Sequence, residues 1–318
     1  MKKDLDLTLK WYDLFFLLRP ILWVPLWVFI FLGYMYGKRL EFFSITLLLP
    51  LKFFSVLFSY TLLMSSTYII NQIVDKESDR INEKLFLIPY GIVSEKLAWI
   101  LSVLLALVSL VWGYFAGGVE LLILYIISLI MGLLYSLPPI QAKARPFLDI
   151  IFNAIGYGCI AFSVGWAVAE HLNKSTFIIS TGYFLLVAAV FINTTIPDIP
   201  GDKKSGKLTT GVFLGQRFSS ILASIIFFIS LVYGFLEMDI LLLLPSILGL
   251  IFSVLSIWDT SEDLVIIKLS YRIPAFLFVL LVAVKFPIFL MLNLIILILL
   301  RKYYKSRFGL DYPSILGR

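Results

Sequence analysis

An asparagine and two aspartates recur at intervals of four residues near position 75. They are Asn71, Asp75 and Asp79, and they follow a long apolar run. On an α-helix a spacing of four turns each residue only about 40° from the last, so neighbouring side chains lie roughly 5–6 Å apart on one face. The pattern predicts a polar stripe at the end of an apolar helix.

A second pair of aspartates has the same spacing later in the chain. Asp198 and Asp202 follow Asn193, and each lies 123 residues after its counterpart (75 to 198 and 79 to 202). The proline and glycine between them predict a loosened turn rather than a regular helix. The equal interval indicates a diverged repeat of spans 1–4 and 5–8 within a single domain, residues 1–318.

Facing each other, the two pairs would form a cage of oxygen ligands. Such a cage suits Mg²⁺, which proteins usually hold through one or two carboxylates while substrate phosphates complete its shell. The alternative is that these acids are ordinary charged residues beside the membrane. Two matched pairs, each led by an asparagine, favour the metal site, because acids at membrane depth are costly and usually face a cavity or a partner.

Basic residues lie in a proline-rich segment between the two acid pairs. The segment runs from Tyr135 through two prolines to Lys143 and Arg145. Its prolines hold it extended, so both basic side chains can point the same way and grip a diphosphate. Asp149, shortly after, could act as a base on the acceptor side, but a charge at the end of a span is the favoured interpretation. The cluster predicts metal on one side of a diphosphate and basic groups on the other.

The composition excludes an ordinary water-soluble domain. Of the 318 residues, 61% are hydrophobic and 14% are charged, with a mean hydropathy of +1.00, whereas soluble domains carry about 25% charged residues. One cysteine, Cys159, excludes an intrachain disulfide and a cysteine-based metal cluster. The lone His171 lacks the partners that a catalytic triad needs. We therefore predict a polytopic membrane protein.

Apolar runs divide the chain into eight predicted spans and a longer last region. They lie near residues 14–36, 53–74, 98–116, 121–138, 147–169, 176–196, 218–236 and 240–258, followed by 273–300. With a cytoplasmic N-terminus, fifteen Lys and Arg residues before the last region fall in cytoplasmic loops and four on the other side, as the positive-inside rule requires. The basic tail favours ten spans by the same rule. This topology explains the net charge of +6, so nucleic acid is not an expected partner.

Aromatic side chains are abundant along the predicted spans. They make up 16% of the chain and include Tyr60, Tyr68, Trp112, Tyr125, Tyr157 and Trp166. We expect these rings to pack against lipid or to lie at the membrane interface.

Together the motifs resemble those of the UbiA family of intramembrane prenyltransferases. Residues 71–79 resemble its first aspartate-rich motif, and residues 198–215 resemble the second. The proline-rich basic segment is similar to the family's basic loop, and Arg19-Pro20 resembles the Arg-Pro of its first helix. Three motifs in this order, each at the end of an even-numbered span, make the resemblance specific, and it covers nearly the whole chain.

The resemblance implies an all-α polytopic fold of nine transmembrane helices around a central cavity, capped by cytoplasmic loops, with 273–300 as one broken or tilted helix. It implies Mg²⁺-dependent transfer of a prenyl group from a prenyl diphosphate to a lipophilic acceptor, such as an aromatic quinone precursor. The enzyme would lie in the cytoplasmic (inner) membrane, with its site open to the cytoplasm. The implied metal ligands are Asp75, Asp79, Asp198, Asp202 and Asn71. The implied diphosphate ligands are Asn71, Lys143, Arg145, Tyr135, Lys84 and Arg19.

The chain departs from the family pattern after the first motif. Many relatives carry an Arg and then Arg-Pro there, where this chain has Lys84 and then Ile88-Pro89. A lysine meets a phosphate without the bidentate geometry of arginine. Because this region borders the acceptor site in the family, the departure leaves the acceptor open.

Two other functions also stay open at this point. A terpene cyclase on the same scaffold would quench the allylic cation within the isoprenoid itself. A cation-coupled transporter would use the acids as an ion site, although transporters usually place such sites near the midplane at broken helices.

Overall fold

The computed structural model describes residues 8–81, 86–261 and 263–312, and the elements in these ranges are helical. In chain order the α-helices are α1 (Asp13–Leu17), α2 (Trp23–Gly37), α3 (Leu51–Val74), α4 (Lys76–Ile81), α5 (Glu95–Ser136), α6 (Leu148–Ala154), α7 (Phe162–Ala169), α8 (Lys174–Thr195), α9 (Ile199–Lys204), α10 (Thr210–Leu236), α11 (Ile240–Ser256), α12 (Val265–Lys285) and α13 (Pro287–Phe308). Short 3₁₀ turns at Pro20–Leu22 and Ala142–Ala144 precede α2 and α6, and a π-helical segment, Ile155–Ala161, joins α6 to α7.

The protein is an integral, multi-pass membrane protein. Eight helical segments of the described chain are long and apolar enough to cross a membrane, and α11 is a shorter apolar helix of 17 residues. The 42-residue α5 is interrupted at Gly118, whose backbone is non-helical (φ 73°, ψ −158°). An unbroken helix of that length would measure about 63 Å, twice the hydrocarbon thickness of a bilayer. The spans predicted at 98–116 and 121–138 fall on either side of the break.

The last apolar region, 273–300, falls in two helices that meet at Phe286. Pro287 opens α13, at a helix position where its missing N–H costs nothing. Lys285 ends α12 with 1% of its surface exposed, and its ammonium donates to the carbonyl oxygens of Glu41 and Ser44. Backbone acceptors thus satisfy the buried charge of Lys285 where the two helices meet.

Helices α2 and α7 pack closely against each other in the helical assembly. A Cβ on Gly33 would lie 1.8 Å from the carbonyl oxygen of Phe162, and one on Gly165 would lie 2.0 Å from that of Ile30. Small residues of this kind let two backbones touch inside a membrane protein. Around this contact α3 packs on α5, and α8 packs on α10 and α12. The repeat of spans 1–4 and 5–8 stays a prediction.

A small apolar cluster lies at the end of α3 that bears the first acid motif. Leu17 of α1 packs there with Ile69 and Ile73 of α3 and with Leu87 and Ile88 of the following loop. The cluster holds α1 and residues 86–93 against α3, so the motif emerges from a packed helix end.

Candidate active site

A cavity of about 410 Å³ opens at the ends of α3 and α8, and both acid motifs line it. Its walls come from α3, α5, α6, α8, the π-helical segment and the loops that carry residues 143 and 207. The residues predicted from sequence that line it are Arg19, Asn71, Asp75, Tyr135, Lys143, Asp198 and Asp202. One cavity therefore brings together parts of all the sequence motifs.

The first motif is joined to two lysines. Asp75 follows the last residue of α3, and its carboxylate lies 2.7 Å from Nζ of Lys143 and 3.4 Å from Nζ of Lys207. Burial lowers the pKa of Lys143, whose side chain is 7% exposed, and the charge of Asp75 opposes that shift. The ion pair therefore favours the charged form of a lysine that burial disfavours.

The neighbouring members of the first motif extend the same stripe. The backbone N–H of Asp79, in α4, donates to the carbonyl oxygen of Asp75 (2.8 Å), and the Asp79 charge acts on Lys143. Asn71 donates from Nδ2 to the hydroxyl of Ser136 (3.2 Å), at the end of α5. These contacts fix the stripe between α3 and α5.

The second motif spans a turn and a short helix, so the expected loosened turn is found at Asp198 but not at Asp202. Residues 196–198 form a turn after α8, and α9 follows with Pro200 in its first turn. A proline is tolerated there because the N–H groups of the first turn have no partner within the helix. The backbone N–H of Asp202 donates to the carbonyl oxygen of Asp198 (2.9 Å), as in a regular helical turn.

A tight turn after α9 connects the two motifs. Gly206 has φ 72°, a left-handed conformation that glycine adopts without strain. Beyond it the N–H of Lys207 donates to the carbonyl oxygen of Asp202 (3.0 Å), and the Thr209 hydroxyl donates to the Asp202 carboxylate (2.9 Å). The ammonium of Lys207 then reaches Asp75 in the first motif.

Arg145 is not brought together with Lys143, which corrects the sequence-based expectation. Its Nη2 donates to the carbonyl oxygen of Pro139 (2.7 Å) on the exposed side of its loop. The loop is not extended, because Gln141 is left-handed (φ 43°) and a 3₁₀ turn follows at Ala142–Ala144. That turn sends Lys143 into the cavity and leaves Arg145 outside. Lys84 lies outside the described residues.

The four aspartates do not form the closed cage predicted from sequence. Within residues 8–81, 86–261 and 263–312, no group of three or more Asp, Glu, His or Cys side chains is close enough to hold a metal ion. Lysines balance the charge of Asp75 instead. Asp75, Asp198 and Asp202 line the cavity, whereas Asp79 lies one helical turn beyond Asp75 and is not a lining residue. These carboxylates fit Mg²⁺, which takes one or two of them and completes its shell with phosphate and water.

Aromatic rings line the deeper part of the cavity. Tyr60, Tyr68 and Tyr157 lie on its wall, contrary to the expectation that these rings pack against lipid. The π-helical segment places Gly156 and Tyr157 there, and such segments are frequent at functional sites. The other three rings behave differently, since Tyr125 and Trp166 are buried and Trp112 is 38% exposed.

An apolar pocket of about 110 Å³ adjoins the cavity and shares two residues with it. The shared residues, Tyr157 and Phe191, are stacked with ring centroids 6.0 Å apart. The pocket is also lined by Phe29 of α2 and by Pro274 and Phe278 of α12. The two spaces together run from the charged mouth to an apolar interior.

Several polar residues of the cavity wall were not assigned from sequence, and three of them are Lys207, Thr209 and Asp149. Lys207 and Thr209 lie within residues 198–215, so the second motif itself contained the signal for them. Asp149 was expected to be a span-end charge. It is buried, accepts hydrogen bonds from the backbone N–H (2.8 Å) and hydroxyl of Thr210, and so fastens α6 to the start of α10.

Comparison with known proteins agrees with this architecture. A UbiA homologue from Archaeoglobus fulgidus, solved with GPP and Mg²⁺, has a similar fold, with a TM-score of 0.65, 24% identity, and coverage of 84% of this chain and 96% of that one. The chain is 31% identical over 202 residues to digeranylgeranylglyceryl phosphate synthase from Sulfolobus acidocaldarius, covering 62% of this chain and 67% of that protein.

A plant relative is similar over a shorter range. The chain is 32% identical over 157 residues to a chloroplastic 2-acyl-4-prenylphloroglucinol 6-prenyltransferase from Humulus lupulus, covering 46% of this chain and 38% of that protein. The chain thus spans less than half the length of the plant relatives that it matches. The sequence model of the UbiA prenyltransferase family, however, matches residues 26–282. The chain belongs to the UbiA prenyltransferase family.

Proposed function

We propose that this protein transfers a prenyl group from a prenyl diphosphate to a lipophilic acceptor within the membrane. The observation that carries the proposal is the single cavity in which both acid motifs, Lys143 and Lys207 meet at a charged mouth above an aromatic wall. A diphosphate with an isoprenoid tail has the same division into a charged head and an apolar chain.

The mouth of the cavity would bind the diphosphate. We assign Asp75 and Asp79, with Asn71, to one Mg²⁺ and Asp198 and Asp202 to another. When bound, Mg²⁺ neutralises negative charge on the diphosphate as it leaves. Lys143 and Lys207 would donate hydrogen bonds to phosphate oxygens from fixed positions, which favours the charge that forms in the transition state.

Arg19 and Tyr135 would complete the binding of the donor head. Both line the cavity, and the Tyr135 hydroxyl accepts a hydrogen bond from Nδ2 of Asn153 (3.2 Å). That bond leaves the phenolic proton available to a phosphate oxygen. Arg145 and Lys84 are not assigned a role here, because the first points away from the cavity and the second lies outside the described residues.

The deeper cavity would hold the isoprenoid chain and exclude water. Heterolysis of the carbon–oxygen bond leaves an allylic cation, which aromatic faces stabilise. Tyr60, Tyr68, Tyr157 and Phe191 line this part of the cavity. The acceptor then forms a bond to the allylic carbon of the prenyl cation and loses a proton. The prenyl group is thus transferred and diphosphate is released.

The acceptor that we propose is an aromatic compound of the quinone-precursor type. Support comes from the Humulus lupulus relative, which is named as a prenyltransferase of an aromatic phloroglucinol. The Sulfolobus acidocaldarius relative is named for a glyceryl phosphate product. The test therefore needs acceptors of both classes.

The experiment that tests this function is product identification by mass spectrometry. Detergent-purified protein is incubated with Mg²⁺, with GPP or a longer prenyl diphosphate, and with phenolic or glyceryl phosphate acceptors, and Asp75→Ala serves as the control. We expect a prenylated phenol from the wild type alone. A cyclised isoprenoid formed without acceptor would indicate a cyclase. Ion uptake into liposomes without any diphosphate release would indicate a transporter.

We also propose that the motif-bearing end faces the cytoplasm from the inner membrane. The topology predicted from sequence assigns fifteen Lys and Arg residues to that side of the membrane, the excess that cytoplasmic ends carry. Lys204→Cys and Glu237→Cys, each in a Cys159→Ser background, place exposed thiols at the two ends of the molecule. A membrane-impermeant maleimide applied to intact cells should label only Glu237→Cys. The opposite labelling would contradict this orientation.

A further inference from the structure

The C-terminal helix α13 lies outside the region that matches the family. That region ends at residue 282, and α13 runs from Pro287 to Phe308. Its first residues lie beside Lys285 and the loop of Glu41 and Ser44. Its last turns lie at the other end of the molecule, beside α1 and the cavity, where they make charged contacts that the proposed reaction does not use.

Asp13, the first residue of α1, is the centre of these contacts. Its side chain is fully buried, and one carboxylate oxygen accepts from the hydroxyl of Tyr303 (2.7 Å) and from Nε of Arg307 (3.2 Å). The other accepts from Nη2 of Arg307 (3.2 Å), whose side chain is 5% exposed. A buried carboxylate that loses such partners is costly, so the cluster fixes how α1 and α13 dock.

Aromatic packing strengthens the same docking. The ring of Phe16 stacks on that of Tyr303 with centroids 3.6 Å apart and planes inclined by 9°. Tyr12 meets the same ring edge-on at 6.0 Å. The last two turns of α13 therefore hold α1 by charge, by hydrogen bonds and by ring contacts.

The end of α1 is connected to the first acid motif. The carbonyl oxygen of Leu17, the last residue of α1, accepts a hydrogen bond from Nε2 of Gln72 (2.9 Å). Gln72 is buried and follows Asn71 directly in α3. A shift of α1 would thus act on the helix turn that carries Asn71 and Asp75.

Arg19 follows α1 in a conformation that needs external support. Its backbone is left-handed (φ 57°, ψ 60°), which costs free energy for a residue with a Cβ and persists only where the surroundings enforce it. Its positive charge lies close enough to act on Tyr304 of α13 and on Tyr312, beside the docking cluster. Arg19 lines the cavity, so α1 and α13 together determine where this charge lies.

We propose that Asp13 is a positioning residue for donor binding, which rests on the proposed function. The cluster of Asp13, Tyr303 and Arg307 fastens α13 to α1. It thereby holds Arg19 in the cavity wall and, through Leu17 and Gln72, holds the first acid motif. The C-terminal helix is then part of the donor site although it contributes no residue to the cavity wall described here.

The test compares two variants of the cluster with two control variants, one within α13 and one beside its first residue. Asp13→Asn and Tyr303→Phe weaken the docking, and Arg301→Gln removes an exposed charge from α13. Lys285→Met loosens the opposite end of α13, so it controls for general destabilisation. Binding of the unreactive thiolo analogue of GPP with Mg²⁺ is measured by calorimetry on the full chain in detergent, together with the thermal unfolding midpoint.

We expect Asp13→Asn to raise the dissociation constant of the analogue about tenfold and Tyr303→Phe to raise it about threefold. In turnover, the donor KM should rise equally while kcat stays within twofold. Lys285→Met should lower the unfolding midpoint without changing the dissociation constant, and Arg301→Gln should change neither.

Unchanged affinity in both cluster variants would overturn the proposal, as would an equal loss of affinity in Lys285→Met. A wild-type protein that does not bind the analogue would overturn the proposed function itself, which distinguishes the two failures.

Discussion

The ammonium of Lys143 lies 2.7 Å from the carboxylate of Asp75, and this pair joins the basic segment to the first acid motif. Lys207 approaches the other oxygen of Asp75 at 3.4 Å from the second motif. The groups assigned to metal and to diphosphate thus neutralise each other before substrate arrives. Binding of Mg²⁺ with a diphosphate would exchange these internal ion pairs for external ones, so metal and donor should bind interdependently.

Loss of Lys143 should weaken donor binding more than loss of Lys207. A hydrogen bond to a charged group contributes roughly 1.5–3 kcal/mol, so Lys143→Ala should raise the donor KM by roughly 10- to 100-fold. Lys207 is farther from Asp75 and 25% exposed, and its substitution should cost less. Steady-state kinetics with varied donor check this order. Equal donor KM values in wild type and Lys143→Ala would remove Lys143 from the site.

The affinity for the donor should fall as pH rises, and it should do so at a lower pH than that at which a solvent-exposed lysine loses its proton. Burial lowers the pKa of Lys143 from the ordinary lysine value, so its charge is lost as pH rises through that lowered pKa. In this window the folded protein binds fewer protons than the unfolded chain, so this lysine makes stability rise with pH while donor binding weakens.

The comparison that isolates this effect is Lys143→Arg, which keeps its charge across the alkaline range. The dependence of kcat/KM for donor on pH reports the free enzyme. The alkaline decrease should disappear in Lys143→Arg. An identical decrease in both proteins would assign it to another group.

Removal of any one of the four aspartates should nearly abolish turnover. Asp75→Ala, Asp79→Ala, Asp198→Ala and Asp202→Ala should each lower kcat by roughly 100-fold or more, since each removes a carboxylate that we assign to Mg²⁺. Glu237→Ala, at an exposed position after α10, is the control for loss of an acid. Initial rates at saturating donor and Mg²⁺ test this, and two aspartate variants with normal rates would contradict the metal assignment.

Asp239 should matter for stability and not for catalysis. Its Oδ1 accepts from the backbone N–H groups of Leu241 and Leu242 at the start of α11 (3.0 and 3.2 Å), and its Oδ2 accepts from the hydroxyl of Tyr183 (2.7 Å). Burial raises the pKa of this carboxyl. Asp239→Ala should destabilise the fold by about 1–2 kcal/mol through loss of the cap.

The measurement for Asp239→Ala is the thermal unfolding midpoint in detergent, with turnover recorded well below it. A lower midpoint with normal kcat and KM is expected. Loss of turnover at a temperature where the variant is folded would assign Asp239 a part in the reaction.

Local spacing was sufficient to predict the acid motifs and their positions at helix ends. Asn71 lies in the last turns of α3, Asp75 directly follows that helix and Asp79 lies in α4, so their spacing of four places them near one helix end. The position of Arg145 depended instead on the left-handed backbone of Gln141, which its residue type does not reveal. Helices that are apolar all round give no indication of which face meets the cavity, so Tyr60 and Tyr157 were wrongly expected to face lipid.

Contacts between distant parts of the chain could not be predicted from sequence patterns. Lys207 meets Asp75 across 132 residues, and Arg307 meets Asp13 across 294. Nothing in the local sequence of either partner specifies the other, because each is an ordinary basic residue near a helix end. Only the packing of α9 and α13 brings these charges together.

The most direct measurement is Mg²⁺-dependent release of diphosphate by purified wild type and by Asp75→Ala, recorded with the amount of prenylated acceptor in the same samples. We predict release that requires both Mg²⁺ and acceptor, one diphosphate for each prenylated product, and a rate at least about 100-fold lower in Asp75→Ala. Release that is equal in the two proteins, or that occurs without any prenylated product, would contradict prenyl transfer at this cavity.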